Sequence, residues 1–312
     1  MQPTVTGTPA HPGYFADPYL LRTASGFVAY GSPEPFGTHG ASIEALVSDG
    51  DLHSWRSAGV VLAADERIGT DYWAPEVARM GDAYWMVYSA GRGIVGHHLR
   101  VARAEAPDAP FTDQGVNLTP DELFAIDANQ FRDTDGQWYL FFAHDVLDAK
   151  RPGTHLAVAP LTSPTSIGGV TPMLQPNADW QLYEADREMY GRRRDWYTLE
   201  GPSVTVRDGR YYCFFSGGSW EGAGYGVSYA TADHPLGPWT HAADRPVVLN
   251  GPATGLVGPG HCSVLDLPDG RTLISYHAWD PGMTKRQMYI DEIDWTADGP
   301  VVRALRDPVP GR

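Results

Sequence analysis

The sequence predicts an all-β fold, a five-bladed β-propeller with four antiparallel strands per blade, formed by a single domain over residues 1–312. Three observations support this prediction. One phrase returns five times, at residues 16–32, 73–90, 127–144, 200–217 and 261–278. A polar turn containing glycine divides each copy into two strand-like halves. Segments with a helical hydrophobic period are nearly absent, and residues 119–126 could form one short turn at most.

Each copy of the phrase is typical of a β-hairpin. A short apolar strand comes first, a polar turn follows, and the second strand is rich in aromatic and β-branched residues. The turns "DTDG" at 133–136, "RDG" at 207–209 and "PDG" at 268–270 favour this interpretation. Glycine accepts the positive φ angle that a tight turn demands, so its place in these turns has a physical reason.

The spacing of the copies indicates four strands per repeat. Successive copies begin about 54 to 73 residues apart, a range typical of propeller blades. Each interval leaves room for a second hairpin, for example residues 226–242 in the fourth interval. A β-sandwich is the structural alternative, but it does not explain why one phrase returns at such intervals.

The charge and the cysteine count exclude several classes of protein. The formal net charge is −15, which repels nucleic acid and anionic lipid, so we expect neither as a partner. No apolar run approaches the ~20 residues that span a bilayer. Cys213 and Cys262 are too few for a disulfide framework and are predicted to be buried free thiols. The N-terminus lacks the pattern of a signal peptide, which predicts a cytoplasmic protein, or a secreted one if the chain is a trimmed mature form.

An alignment of the five copies brings polar and aromatic residues to one position. Aligned on the aromatic residue that ends the second strand, Trp73, Asp127, Glu200 and His261 coincide, and Asp17 lies close to the same position. Equivalent positions on the innermost strands of a propeller form a ring at one end of its central channel. We therefore expect the three carboxylates to surround one sugar-sized pocket.

Three converging carboxylates suit the hydrolysis of glycosides. One carboxyl group must be protonated to assist the leaving oxygen, and another must be ionised to activate water or to attack carbon. A third can raise the pKa of the acid by like-charge proximity. Trp73 would offer a flat apolar face for a sugar ring. The motifs of serine hydrolases, phosphate-binding loops and zinc peptidases are absent from the sequence.

Taken one at a time, these residues also have structural interpretations, as turn acids or as core aromatic and histidine side chains. Their shared position favours the functional interpretation. Glu76 is predicted to point away from the channel, because the side chains of a strand alternate. His97 and His98 are predicted to lie in a loop, and "GRRRDW" at 191–196 is predicted to be an exposed loop beside the pocket.

The motifs "ADPYLL", "WAPEV", "IDANQF", "LEGPSV" and "GPGHCSV" resemble those of glycoside hydrolase family 43, a family of five-bladed propellers, and they cover nearly the whole chain. The resemblance implies an inverting mechanism. It implies that Asp17 is the general base that activates water and that Glu200 is the general acid. It also implies that Asp127 orients Glu200 and tunes the pKa of that residue.

The resemblance extends to substrate-binding residues. It implies that Trp73 helps to form the sugar pocket, and Arg286 is similar to a family arginine near the bound sugar. In some members of the family a histidine like His261 stands near a central calcium ion or water. We therefore expect that no cofactor is required and that a calcium ion can occupy the central channel. The sequence contains no Asp/Asn-rich loop of the kind that binds calcium.

The resemblance implies a small oligosaccharide or polysaccharide substrate. We favour an exo-acting enzyme that releases terminal α-L-arabinofuranose from arabino-oligosaccharides or arabinoxylan fragments. A β-D-xylosidase and an endo-1,5-α-L-arabinanase are alternatives of the same fold, and a non-catalytic sugar-binding propeller or a protein-interaction propeller is an alternative of a different class. For an inverting enzyme, the carboxyl groups of Asp17 and Glu200 are expected ~6.5–9.5 Å apart.

Overall fold

The structure is a computed structural model and describes residues 5–34 and 41–305. In these ranges the chain consists almost entirely of strands and turns, and helix is limited to α1 (Gly251–Thr254) and one 3-10 turn at Asp179–Gln181. None of these short segments approaches the length and apolarity that a bilayer-crossing helix requires. The prediction of an all-β fold is therefore confirmed.

Three of the sheets are antiparallel and have four strands each, and two of these three come first in the chain. The first contains β1 (Ala16–Thr23), β2 (Gly26–Ser32), β3 (Ile43–Ser48) and β4 (Arg56–Leu62). The second contains β5 (Asp71–Met80), β6 (Ala83–Arg92), β7 (Val95–Ala104) and β8 (Thr112–Asn117).

The middle of the chain forms one ten-stranded sheet. Its strands are β9 (Ala125–Arg132), β10 (Trp138–Val146), β11 (Gly153–Ser163), β12 (Ser166–Ile167), β13 (Thr171–Leu174), β14 (Leu182–Met189), β15 (Arg192–Arg207), β16 (Arg210–Gly217), β17 (Gly226–Ala232) and β18 (Thr240–His241). Two antiparallel groups meet in this sheet, and a short parallel pairing between β11 and β15 joins them.

The last four-stranded antiparallel sheet contains β19 (Val257–Asp266), β20 (Thr272–Trp279), β21 (Arg286–Thr296) and β22 (Gly299–Arg303). The first strands of the five repeats, β1, β5, β9, β15 and β19, contact one another in that order, and β19 contacts β1. These five strands therefore form a closed ring, and they are called the inner strands below.

Buried aromatic residues hold neighbouring sheets together. The residue used to align the repeats has an exposed fraction of 0% in every copy, namely Tyr30, Tyr88, Phe142, Phe215 and Tyr276. Tyr30 of the first sheet and Tyr88 of the second belong to one apolar cluster. Burying one such side chain contributes roughly 1.5–3 kcal/mol. Cys213 and Cys262 are also buried and are free thiols, as predicted.

Every inner strand has a β-bulge at the same place, next to the channel. The residue at the bulge has a left-handed backbone conformation in all five strands, at Asp17, Ala74, Asp127, Gly201 and His261, with φ angles of 52°, 44°, 60°, 56° and 47°. The register of each strand with its hairpin partner shifts at this point. A bulge re-aims side chains and interrupts the ladder of hydrogen bonds.

The bulges correct the alignment made from the sequence. Trp73 and Glu200 precede the bulge residue by one position, so the prediction that they share a position with Asp127 and His261 was wrong. The reason lies in the hairpin turns, which are short at 81–82 and 208–209 but longer at 133–137 and 267–271. A fixed number of residues counted back from the aromatic residue therefore reaches positions that differ by one residue between hairpins with short turns and hairpins with longer turns.

The backbone N–H group at each bulge finds a side-chain acceptor in the preceding repeat. Three of the acceptors are serine hydroxyls: Ser32 for Ala74 (2.8 Å), Ser89 for Asp127 (3.0 Å) and Ser216 for His261 (2.7 Å). The N–H group of Asp17 donates to Nδ1 of His277 (3.1 Å), and that of Gly201 donates to Oδ2 of Asp127 (3.0 Å). The bulges are thus stabilised by contacts between adjacent repeats, since a buried N–H group without a partner is costly.

We expect Ser89→Ala to lower the free energy of unfolding by ~1–3 kcal/mol, because the buried N–H group of Asp127 loses its acceptor. Ser228→Ala is the matched control. Ser89 and Ser228 both have an exposed fraction of 0%, but the hydroxyl of Ser228 has no hydrogen-bond partner among the described residues. Urea denaturation of both variants checks this expectation, and equal losses of stability would contradict the role of Ser89.

Candidate active site

Asp17, Asp127 and His261, three of the bulge residues, meet at one end of the central channel. They line a small cavity, called the channel cavity below, together with residues that follow the bulges on all five inner strands. Its lining residues are Asp17, Pro18, Tyr19, Ala74, Pro75, Glu76, Asp127, Ala128, Gly201, Pro202, His261, Cys262 and Ser263. The expectation that repeat-related residues converge on the channel is met by these three side chains.

Glu200 lines an adjoining cavity, called the Glu200 cavity below. Its lining residues are Trp73, Ile94, Phe124, Ile126, Asp145, Thr154, Tyr183, Arg187, Met189, Trp196, Thr198, Glu200 and Trp220. The expectation of one pocket for all three carboxylates therefore needs correction, because they line two neighbouring cavities. The one-residue offset at the bulge explains the division, since successive side chains of a strand point in different directions.

The three carboxylates are nevertheless connected at short range. Nδ1 of His261 lies 3.4 Å from Oδ1 of Asp17 and 3.9 Å from Oδ2 of Asp127. The same Oδ2 atom of Asp127 accepts a hydrogen bond from the N–H group of Gly201, the residue after Glu200. A fixed chain of contacts therefore runs from Asp17 through His261 and Asp127 to the backbone next to Glu200.

Asp17 is held in its ionised form. Burial raises the pKa of Asp17, but attraction to His261 and Arg286 outweighs burial, and the pKa lies well below its usual range. Nη1 of Arg286 lies 3.3 Å from Oδ1 of Asp17, and the hydroxyl of Ser32 donates to Oδ2. Burial lowers the pKa of His261, so Arg286 is the cation that acts on Asp17 near neutral pH.

Glu200 and Asp127 have the opposite tendency. Burial raises the pKa of Glu200 to about 7; the hydrogen bond from Tyr225 acts to lower this pKa, and the charge of Asp17 acts to raise it. The hydroxyl of Tyr225 donates to Oε1 of Glu200 at 2.5 Å. Burial raises the pKa of Asp127 well above its usual value, and the charges of Glu200 and Asp17 raise it further. Neighbouring carboxyl groups thus favour different protonation states at one pH.

Arg286 lies beside Asp17 in an aromatic surrounding. Its Nη2 atom donates to the hydroxyl of Tyr14 at 2.7 Å, and its guanidinium lies 4.4 Å from the ring centre of Trp220. Trp220 in turn is stacked with Trp279, with ring centres 6.1 Å apart. The guanidinium is therefore fixed by two kinds of contact, and its charge is directed at Asp17.

Trp73, the side chain predicted to stack on a sugar, lines the Glu200 cavity, and its ring packs against a histidine. The rings of Trp73 and His97 are 3.6 Å apart at an interplanar angle of 19°. The prediction that His97 and His98 lie in a loop was wrong, because both belong to strand β7. Burial lowers the pKa of His97 to about 4, so a neutral imidazole supports the indole.

Glu76 lines the channel cavity, which contradicts the prediction that it points away. The bulge at Ala74 inserts an extra residue and shifts the alternation of side chains by one position. Oε2 of Glu76 accepts a hydrogen bond from Nδ2 of Asn129 at 2.9 Å. Burial raises the pKa of Glu76 to about 8.

Residues 191–196 were predicted to form an exposed loop, but they belong to a hairpin of β14 and β15. Side chains of this hairpin line one wall of the Glu200 cavity: Tyr183, Arg187, Met189 and Trp196. Four residues near the site were not predicted from the sequence, because none lies in the repeated phrase at the aligned position: Tyr225, Trp220, Asp145 and Arg187. An aromatic-rich "SGGSWEGAGYG" at 216–226 was the available signal for the first two.

The residues around His261 do not match the preferences of calcium. Calcium prefers six to eight oxygen ligands, whereas the ring of His261 presents a nitrogen toward Asp17 and Asp127. Over residues 5–34 and 41–305, no group of three or more histidine, cysteine or acidic side chains could hold a metal ion. The predicted calcium ion therefore has no identified ligands in this part of the chain.

Comparisons with known proteins agree with this geometry. The family model of the glycosyl hydrolases family 43 matches residues 6–301. A β-D-galactofuranosidase of Aspergillus niger is 28% identical over 93% of this chain and 82% of its own length. An extracellular exo-α-(1→5)-L-arabinofuranosidase of Streptomyces avermitilis is 25% identical over 95% of this chain, which spans 63% of that relative.

Solved structures give the same result. A thermostable family-43 glycoside hydrolase has a TM-score of 0.80 at 26% identity, covering 98% of this chain and 97% of its own. An endo-1,4-β-xylanase of Bacteroides thetaiotaomicron has a TM-score of 0.78 at 30% identity, covering 96% of this chain and 99% of its own. The repeats, the three connected carboxylates and the match over nearly the whole chain lead to one conclusion: this protein belongs to glycosyl hydrolase family 43.

Proposed function

We propose that this protein is an inverting, exo-acting glycosidase that releases terminal α-L-arabinofuranose from arabino-oligosaccharides or arabinoxylan fragments. One observation carries the proposal. Asp17 is held ionised beside Arg286, while Glu200, connected to it at short range, has a pKa raised to about 7. An ionised and a protonated carboxyl group at one pH are what glycoside hydrolysis requires, and membership of family 43 supports the inverting course.

In the proposed reaction, Glu200 donates its proton to the glycosidic oxygen as the bond from that oxygen to the anomeric carbon breaks. Asp17 accepts a proton from a water molecule, and the oxygen of that water attacks the anomeric carbon from the opposite face. The products are the free sugar with inverted configuration and the leaving alcohol. Asp17 then returns its proton to solvent, and Glu200 takes one up.

We assign a positioning role to Asp127. Its Oδ2 atom accepts a hydrogen bond from Gly201, which fixes the backbone that carries Glu200. Burial keeps the pKa of Asp127 high, so Asp17 is the better source of the negative charge that raises the pKa of Glu200. Trp73 and Arg286 would bind the substrate, Trp73 through its ring face and Arg286 through its guanidinium.

His261 would help to hold Asp17 and Asp127 in place, since its ring lies between their carboxylates. The blade count is also part of this proposal. The closed ring of inner strands and the two antiparallel groups in the ten-stranded sheet favour one domain of five blades.

The names of relatives support a furanoside substrate. The relatives from Aspergillus niger and Streptomyces avermitilis are named as a galactofuranosidase and an arabinofuranosidase. A relative from Humicola insolens is named xylosidase/arabinosidase, and one from Emericella nidulans is named a probable arabinan endo-1,5-α-L-arabinosidase. A β-D-xylosidase and an endo-arabinanase are therefore the alternatives of the same chemistry.

The proposal predicts that 4-nitrophenyl α-L-arabinofuranoside is hydrolysed with a higher kcat/KM than the β-D-xyloside and the β-D-galactofuranoside. NMR of the first-formed sugar should show the anomer of inverted configuration, because water attacks directly. A preference for the xyloside would transfer the assignment to a β-D-xylosidase. A retained anomer would contradict the roles of Asp17 and Glu200, and sugar binding without turnover would indicate a non-catalytic propeller.

Glu200→Ala should lower kcat/KM on arabino-oligosaccharides by ~10²–10⁴-fold, because the leaving sugar oxygen loses its proton donor. The loss should be smaller on the 4-nitrophenyl glycoside, whose leaving group needs little protonation. Steady-state kinetics and the melting temperature are the measurements. Asp233→Ala is the control, since its side chain is 92% exposed and lies away from the cavity. Near wild-type activity of the Glu200 variant would refute the proposal.

The pH dependence of kcat/KM should have a basic limb near 7, because Glu200 loses its proton as the pH rises through about 7. The acid limb should lie well below the usual pKa of an aspartate, because the depressed pKa of Asp17 keeps this base ionised. Tyr225→Phe removes a hydrogen bond that lowers the pKa of Glu200, so the basic limb should move to higher pH. Tyr212→Phe is the control. If the basic limb does not move in the Tyr225 variant, the limb reports the titration of a group other than Glu200.

A further inference from the structure

The Glu200 cavity contains the proposed acid but not the proposed base. Glu200 lines it beside Trp73 and Trp220, whereas Asp17 and Asp127 line the channel cavity. In an inverting hydrolysis, the water and its base lie on one face of the sugar ring and the acid faces the leaving group on the other. A cavity that holds the acid without the base is therefore placed to receive the leaving group.

One wall of this cavity carries a fixed cation. The guanidinium of Arg187, on strand β14, lies 4.4 Å from the ring centre of Tyr183 and 5.9 Å from that of Trp196. Its Nε atom lies 3.4 Å from Oε2 of Glu184, and the Arg187 side chain is 13% exposed. Stacking on aromatic rings holds the planar guanidinium against the wall, and N–H donors that do not face Glu184 can be directed at the cavity.

A buried carboxylate follows at the end of strand β10. Asp145 is 8% exposed and lines the same cavity. Its Oδ1 atom accepts a hydrogen bond from Thr154 at 2.9 Å, and its Oδ2 atom accepts one from the hydroxyl of Tyr190 at 2.7 Å. Each carboxylate oxygen can accept a further hydrogen bond, so Asp145 retains acceptor capacity toward the cavity.

We propose that Asp145 and Arg187 bind hydroxyl groups of the leaving-group sugar, which makes this cavity the subsite that selects a sugar over other leaving groups. The inference rests on the proposed function and adds the specificity of its leaving-group side. A carboxylate only accepts hydrogen bonds and a guanidinium only donates them, and sugar hydroxyl groups can do both. A leaving group without hydroxyls makes none of these additional hydrogen bonds, so the cavity favours a sugar over such a leaving group.

The test compares two substrates with the same released sugar, α-1,5-linked arabinobiose and 4-nitrophenyl α-L-arabinofuranoside. If the wild type prefers β-D-xylosides, the two substrates are replaced by xylobiose and 4-nitrophenyl β-D-xyloside. Asp145→Asn and Arg187→Gln should each lower kcat/KM on the disaccharide by ~10–100-fold, from the loss of a hydrogen bond to a charged group. The loss on the 4-nitrophenyl glycoside should be at least about tenfold smaller, since that leaving group has no hydroxyls to bind.

Arg193→Gln is the matched control on the same hairpin. The Arg193 side chain is 59% exposed and pairs with Asp186, so this variant should keep the wild-type ratio between the two substrates. Equal losses on both substrates, or no loss on the disaccharide, would overturn the inference and leave the proposed function intact. A wild type that hydrolyses neither substrate would overturn both. The melting temperature of each variant shows whether a loss of activity is due to unfolding. If one of the two variants does not fold, the other still tests the inference.

Discussion

The geometry of the site depends on one repeated constraint, the β-bulge of each inner strand together with the side chain that accepts its freed N–H group. The bulge turns the chain at Asp17, Asp127 and His261, so that their side chains meet at the end of the channel. The acceptor comes from the preceding repeat in each case. The position of each of these residues is therefore fixed by the neighbouring repeat, and the ring must close before the candidate site is complete.

In one repeat a side chain of the candidate site provides this acceptor. Serine hydroxyls accept the N–H groups at three bulges, but at Gly201 the acceptor is the carboxylate of Asp127. Ala143 of strand β10 lies at the position that a serine occupies in those three repeats, and it has no hydroxyl group that could accept the hydrogen bond. The carboxylate next to Glu200 thus fixes the backbone that carries Glu200, which links the fold directly to the chemistry.

Similar burial leads to opposite protonation states because the partners differ. Asp17 and Glu200 are both buried, and burial alone would favour the neutral form of each. Arg286 lies against Asp17 and stabilises its negative charge, whereas the partner of Glu200 is the hydroxyl of Tyr225. His261, Arg286 and His277 together outweigh desolvation at Asp17, and a single neutral donor at Glu200 does not. The neighbours differ because the carboxylates line two cavities, a division that follows from the one-residue offset between Glu200 and the bulge.

Local patterns were sufficient for the all-β class and for the hairpins, because turn residues and strand alternation act over a few positions. The choice of Asp17, Asp127 and Glu200 came from the repeat and stays a prediction, which their contacts at short range support. The alternation rule gave the wrong side-chain direction for Glu76 because of the bulge, and the bulges place Trp73 and Glu200 one position away from Asp127. His97 beneath Trp73, Tyr225 beside Glu200 and the hairpin that carries Arg187 could be found only in three dimensions. Their roles depend on contacts between segments far apart in the chain, and both protonation states and cavity walls are set by such contacts.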